Sequence, residues 1–329
     1  MNQYNIPGLS LGIVKNDSII HTRGYGVRNI ETKDLVTENT IFHTASISKL
    51  FTAIAIMKLI EGKVLTLDDK LVSLVPGLNY ADKRVEEISV YNLLNHTSGL
   101  PDINNYNWDN NNRSDNSLKE YVLGLNLKLQ SAPSSEYEYS NLAYDVLGLV
   151  IEKVSGSSFD DYMEKNILDM SGMTSSDFRY FRIPDSLRSS PHTKSRTTWK
   201  PSVRETYPYT REHAPSSTLN SSAIDLSKWM ISFLQTLEND DSKDSYQTML
   251  QPSFGEDSRI GLGFQLYNIK AKKAIGHFGG DKGFRSFLMM IPEAKIGLVV
   301  LANCDYNEDF RQEILFPIAE LMLSQDGFE

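Results

Sequence analysis

Phe42-His43-Thr44-Ala45-Ser46-Ile47-Ser48-Lys49-Leu50-Phe51 contains the only Ser-x-x-Lys in the 329-residue chain. It opens a strong helical pattern: Leu50, Phe51, Ile54, Met57 and Ile60 recur at helical spacing, and Gly62 stands where such a run is capped. Residues three apart on a helix are surface neighbours, roughly 5–6 Å apart at Cβ, so Ser46 and Lys49 share one face. A serine hydroxyl is a poor nucleophile until a base takes its proton. A lysine part-buried beside it, in so apolar a helix, can lose its charge and serve as such a base. The helix N-terminus adds backbone N–H groups near any oxyanion formed at Ser46. Taken alone, the motif fits better a capping serine followed by a solvated lysine.

Two further stretches decide between these readings. Tyr139-Ser140-Asn141, the only Tyr-x-Asn, precedes the helical run Leu142, Val146, Leu149, Val150, and His277-Phe278-Gly279-Gly280 precedes the strand-like Arg285 to Ile291. Ser-x-x-Lys, then Tyr-x-Asn, then a basic residue two before a glycine is the order of the penicillin-recognising serine hydrolases. The chain resembles their class C β-lactamase branch, which includes D-alanyl-D-alanine carboxypeptidases, D-aminopeptidases and β-lactamase-like carboxylesterases. The stretches Asn5 to Ser10, Gly24 to Val27, Leu93 to Pro101, Leu262-Gly263-Phe264 and Gly297 to Asn303 fit it too, so the likeness runs over nearly the whole chain.

The resemblance implies a role for each motif residue. Ser46 is the nucleophile and Lys49 its proton acceptor. Tyr139, its pKa lowered by Lys49 and His277, shuttles the proton to the leaving group. Asn141 bonds Lys49 and the substrate. Gly280 supplies an oxyanion-hole N–H beside that of Ser46, and Gly279 with Gly280 lets the strand backbone approach the substrate. His277 stands where β-lactamases carry lysine, still able to donate to the tyrosine oxygen but uncharged near neutral pH. Phe278 replaces the hydroxyl residue that grips a substrate carboxylate. Arg285 or Lys282 would have to supply that charge, and Tyr106, Trp108 and Phe278 suggest an apolar, aromatic mouth.

Strand patterns at Leu9–Val14 and Ser18–His21 flank a Lys15-Asn16-Asp17 turn, and three more occur at Lys273–Phe278, Arg285–Ile291 and Ile296–Ala302. Between them, from Leu71 to Leu219, short helical patterns alternate with polar loops such as Asn104–Asn116. The expected fold is therefore α+β: an antiparallel sheet built from both termini and flanked by helices. Residues 1–70 and 225–329 form the sheet domain, 71–224 a helical insertion, with the active site between them. A last helix is expected over Asn307–Gln325, kinked or broken at Pro317.

Hydrophobic residues make up 40% of the chain, enough for one large core or two moderate ones. A net charge of −9 argues against nucleic acid or an anionic membrane as partner. The lone Cys304 forms no intrachain disulfide, and the six histidines lack metal-ligand spacing, so neither metal nor cofactor is expected. No run of 18 apolar residues and no signal-peptide pattern occurs, which leaves compartment and oligomeric state unread. In the resembled family a helix precedes the Ile6-Pro7-Gly8 turn, so a trimmed or truncated N-terminus is expected. Three functions fit: a hydrolase of D-configured peptides or amides, a carboxylesterase, and a silent module binding peptidoglycan or protein. The intact Ser46, Lys49, Tyr139 and Asn141 set disfavours the third.

Overall fold

The computed structural model describes residues 1–195, 197–238, 243–306 and 310–325. Two consecutive left-handed residues, Asn16 (φ 47°) and Asp17 (φ 61°), turn the chain from β1 (Gly8–Lys15) into β2 (Ser18–Gly26). Four later strands join them: β3 (Gln265–Ile269), β4 (Lys272–Asp281), β5 (Phe284–Ile291) and β6 (Ile296–Ala302). The six strands lie in the order β2-β1-β6-β5-β4-β3, all antiparallel. The pairing of Leu9 with Ala302 joins the two ends of the chain into one sheet, as the sequence predicts.

Successive strand residues face opposite sides, and both sides are covered. Ile275, Leu288, Met290, Val299 and Leu301 pack into the larger core with helices α1 (Ser48–Glu61), α2 (Asn141–Ser155) and α3 (Ala223–Thr236). Ala274, Phe287, Met289, Leu298 and Val300 face the smaller core under α4 (Phe310–Gln325). This two-sided burial explains why β6 reads as an unbroken apolar run. Helix α1 is buried nearly all round, and apolar nearly all round to match.

Helix α4 runs through Pro317 as one element, so of the expected kink or break the break does not occur. Phe310, Leu315 and Ala319 press it onto the sheet from both sides of the proline. The expected start at Asn307–Asp309 lies outside the described residues. No described helix is long and apolar enough to cross a membrane.

Candidate active site

The sequence places Ser46 at the start of a helix, but the helix proper begins two residues later. Ala45–Ile47 form a 3-10 turn leading into α1, with Ala45 in the left-handed region at φ 51°. That conformation is strained for a residue with a Cβ, and such strain collects at functional sites. The turn is braced from both sides. Thr44 donates to the Leu219 carbonyl through its N–H (2.8 Å) and its hydroxyl (2.9 Å), and its own carbonyl accepts from Ser286 Oγ at 2.7 Å. Strand β4 packs against this turn at Gly279, where a Cβ would lie 2.2 Å from the Thr44 carbonyl oxygen. The close approach that Gly279 permits is therefore to the turn that carries Ser46. Between residues 40 and 57, Ser46 is the one residue that is not buried.

Ser46 Oγ receives two hydrogen bonds, from Lys49 Nζ at 3.0 Å and from Tyr139 OH at 3.0 Å. Lys49 is fully buried, and Nζ also bonds Asn141 Oδ1 and the Ser216 carbonyl, the latter at 2.7 Å. Burial pushes the Lys49 pKa down from 10.5 to about 7, while Asp145, Asp102 and Asp281 pull it back up. At neutral pH a large share of Lys49 is free amine.

Tyr139 departs from expectation. Burial pushes its phenol well above the usual 10, and the bond to Ser46 offsets only part of that. The group is a neutral hydroxyl. His277 does not lower it either: burial and the Lys49 charge press the imidazole down to about 3, so it is neutral. Its Nδ1 meets the Phe278 carbonyl, which accepts only, so Nδ1 carries the ring's single proton. His277 therefore has no proton left to donate to Tyr139, whose ring centroid is 6.2 Å away.

The segment that carries Tyr139 and Asn141 is held by residues the motif search missed. Ser140, rather than Asn141, caps α2 by accepting from the Ala143 N–H at 3.1 Å. His96 Nδ1 accepts from the Ser140 N–H at 3.1 Å, and its ring lies 4.5 Å from that of Tyr139. Asp102 Oδ1 accepts from both the Asn141 N–H and Nδ2, each at 2.9 Å, which turns the amide oxygen toward Lys49. Asp102 follows directly on Leu93 to Pro101, so its nearness to the motif was legible but its target was not.

Two expectations fail at the rim. Phe278 points to the opposite face of the sheet: its ring stacks on Phe287 at 3.8 Å and lies under the Arg311 guanidinium. It neither grips a substrate nor lines an aromatic mouth, which leaves Tyr106 stacked on the buried Trp108 at 4.6 Å. Arg285 directs its guanidinium to the carbonyls of Asp281, Phe284 and Asp305, tying the β4–β5 hairpin together. Lys282 is exposed in that hairpin's turn. Gly280 lies on β4 between Gly279, against Thr44, and Asp281, whose Oδ2 meets His43 Nε2 at 3.1 Å. Among the described residues, no group of three or more His, Cys, Asp or Glu is arranged to hold a metal.

The order of these groups on this sheet defines a class of serine hydrolases, and comparison with known proteins agrees. A β-lactamase family model matches residues 1–321, and the chain belongs to this β-lactamase-related, penicillin-binding-protein-like family of serine hydrolases. It is 30% identical over 314 residues to Protein flp of Staphylococcus aureus, covering 91% of this chain and 60% of that protein. It is 28% identical over 326 residues to penicillin-binding protein 4* of Bacillus subtilis, with 93% of this chain and 70% of that one covered. An octameric penicillin-binding protein homologue from Pyrococcus abyssi superposes with a TM-score of 0.83 at 27% identity, over 98% of this chain and 75% of that one. The penicillin binding protein of Bacillus halodurans shares the fold, with a TM-score of 0.75 at 20% identity over 97% of this chain and 95% of that one. This chain spans about three fifths of the length of the Staphylococcus relative.

Proposed function

We propose that the protein is an acyl-transfer hydrolase that forms an ester on Ser46 and acts on small amide, peptide or ester substrates. The observation that carries this reading is the position of Ser46 Oγ, bridged by an amine that titrates near 7 and by a neutral phenol. Neutral Lys49 takes the Ser46 proton as Oγ bonds to the substrate's acyl carbon. The Lys49 ammonium then returns that proton through the Tyr139 hydroxyl to the leaving nitrogen or oxygen as its bond to carbon breaks. Water, deprotonated along the same path, attacks the acyl-Ser46 ester, and the proton returns to Ser46 Oγ as its bond to the acyl carbon breaks and the acid is freed. The N–H groups of Ser46 and Gly280 hold the oxyanion, a contribution of about 3–4 kcal/mol per donor. Tyr139 thus works as a proton carrier in its neutral form, without a lowered pKa.

Substrates without a carboxylate are favoured. A β-lactam's carboxylate finds no hydroxyl at Phe278 and no charge at His277, and the Arg285 guanidinium directs its N–H groups to its own hairpin's carbonyls. For short-chain p-nitrophenyl esters, kcat/KM should exceed that for a chromogenic cephalosporin by at least about tenfold, roughly 1.4 kcal/mol at the transition state. A panel with D-amino-acid anilides as the third arm separates peptidase from esterase. Cephalosporin turnover equal to that of the esters contradicts the preference, and no turnover of any of the three favours a silent binding module.

A further inference from the structure

Asp145 and His213 form a buried pair that the reaction above does not use. His213 Nδ1 meets Asp145 Oδ2 at 2.7 Å, with side chains 2% and 0% exposed. Asp145 lies one turn beyond Asn141 on α2, so both fall on one helix face. His213 is enclosed edge-on by Tyr106 and Tyr121, each 4.9 Å between ring centroids, and by Trp108 at 5.8 Å. The backbone carries the pair on to the base. The His213 carbonyl accepts from Ser216 Oγ at 3.3 Å, and the Ser216 carbonyl accepts from Lys49 Nζ at 2.7 Å.

Lys49 is faced from every side by titratable groups. Helix α2 presents Asp145 and Tyr144, and the segment before it presents Tyr139. Asp102 and His96 come from the loop beneath, His277 and Asp281 from β4. Burial keeps Tyr139, Tyr144, His96 and His277 neutral. That leaves three carboxyl groups. Asp102 is exposed, and Asp281 is bonded to His43 and Ser217. Asp145 alone of the three is wholly buried, where its charge is least screened. Burial holds the Asp145 carboxyl above its usual value, and His213 and Lys49 offset part of that rise.

We infer that Asp145, hydrogen-bonded to His213, is a positioning residue that holds a negative charge near the Lys49 amine, while His213 anchors the turn whose carbonyl aims that amine at Ser46. The inference rests on Lys49 being the base. A nearby carboxylate favours the ammonium form, so Asp145 sets how far the pH must rise before Lys49 is free to accept a proton.

The test is the pH dependence of kcat/KM on a p-nitrophenyl ester. Asp145→Asn keeps the shape and removes the charge, so its acid limb should move about one pH unit lower than that of wild type. A purely structural role would lower activity at every pH and leave the limb in place. A folded Asp145→Asn enzyme, judged by near-UV circular dichroism, whose limb coincides with wild type overturns the inference. Should that variant not fold, His213→Leu fits the surrounding rings and leaves Asp145 to take up a proton, shifting the limb the same way. A limb that stays or rises in His213→Leu overturns it as well. Failure of the base reading shows separately, as full turnover in Lys49→Ala.

Discussion

Lys49→Ala should lower kcat/KM by about 10²–10⁴, the range for a lost general base. The amine lies within hydrogen-bond distance of Ser46 Oγ, at 3.0 Å, and the neighbouring candidates do not replace it. His277 is pressed far below neutrality, and its one proton is held by the Phe278 carbonyl. Tyr139 is a neutral phenol whose pKa lies too high to furnish a phenolate. The same reasoning fixes the pH profile. Lys49 must be unprotonated to act, and its pKa is about 7, so wild-type kcat/KM should rise through pH 7 and fall away below it. A pH–rate series on one ester, with wild type and Lys49→Ala side by side, reads both effects. Turnover within about tenfold of wild type in the variant, or an acid limb near pH 4, would assign the base elsewhere.

Tyr139→Phe should lower kcat by about 10²–10⁴ while leaving the acid limb near pH 7, because Lys49 stays in place. The ring packs on His96, and phenylalanine preserves that contact, so the thermal midpoint should change little. What is lost is the 3.0 Å bond to Ser46 Oγ and the route for the proton to the leaving group. The loss should be greater for an anilide, whose nitrogen must be protonated to leave, than for a p-nitrophenyl ester, whose leaving group departs as the anion. Near-normal turnover of both would mean that the hydroxyl is structural.

The sheet was legible because its strands carry their own signal: Asn16-Asp17 for the turn, and unbroken apolar runs where both faces are covered. Ser46, Lys49, Tyr139 and Asn141 could be gathered from two motifs: Lys49 and Tyr139 do meet Ser46 Oγ, and Asn141 meets Lys49 Nζ. The apolar helix already pointed to a lowered Lys49, but the burial of Tyr139 could not be read, and it is the main reason that this phenol stays protonated. Phe278 is a different kind of miss. Strand alternation already places residues 277 and 278 on opposite faces, so assigning His277 to the site should have sent Phe278 away from it. Pro317 does not split α4, which is pressed onto the sheet on both sides of that residue. Asp102, Ser216 and the Asp145–His213 pair act across long stretches of chain through backbone carbonyls and buried contacts, for which a single sequence has no pattern.

All of this turns on whether Ser46 becomes acylated. Wild type and Ser46→Ala should each be treated with a fluorophosphonate probe, digested, and mapped by mass spectrometry. The expected result is a single adduct on the peptide containing Ser46, absent from the alanine variant. An adduct on any other residue, with Ser46→Ala labelled as readily as wild type, would contradict the assignment.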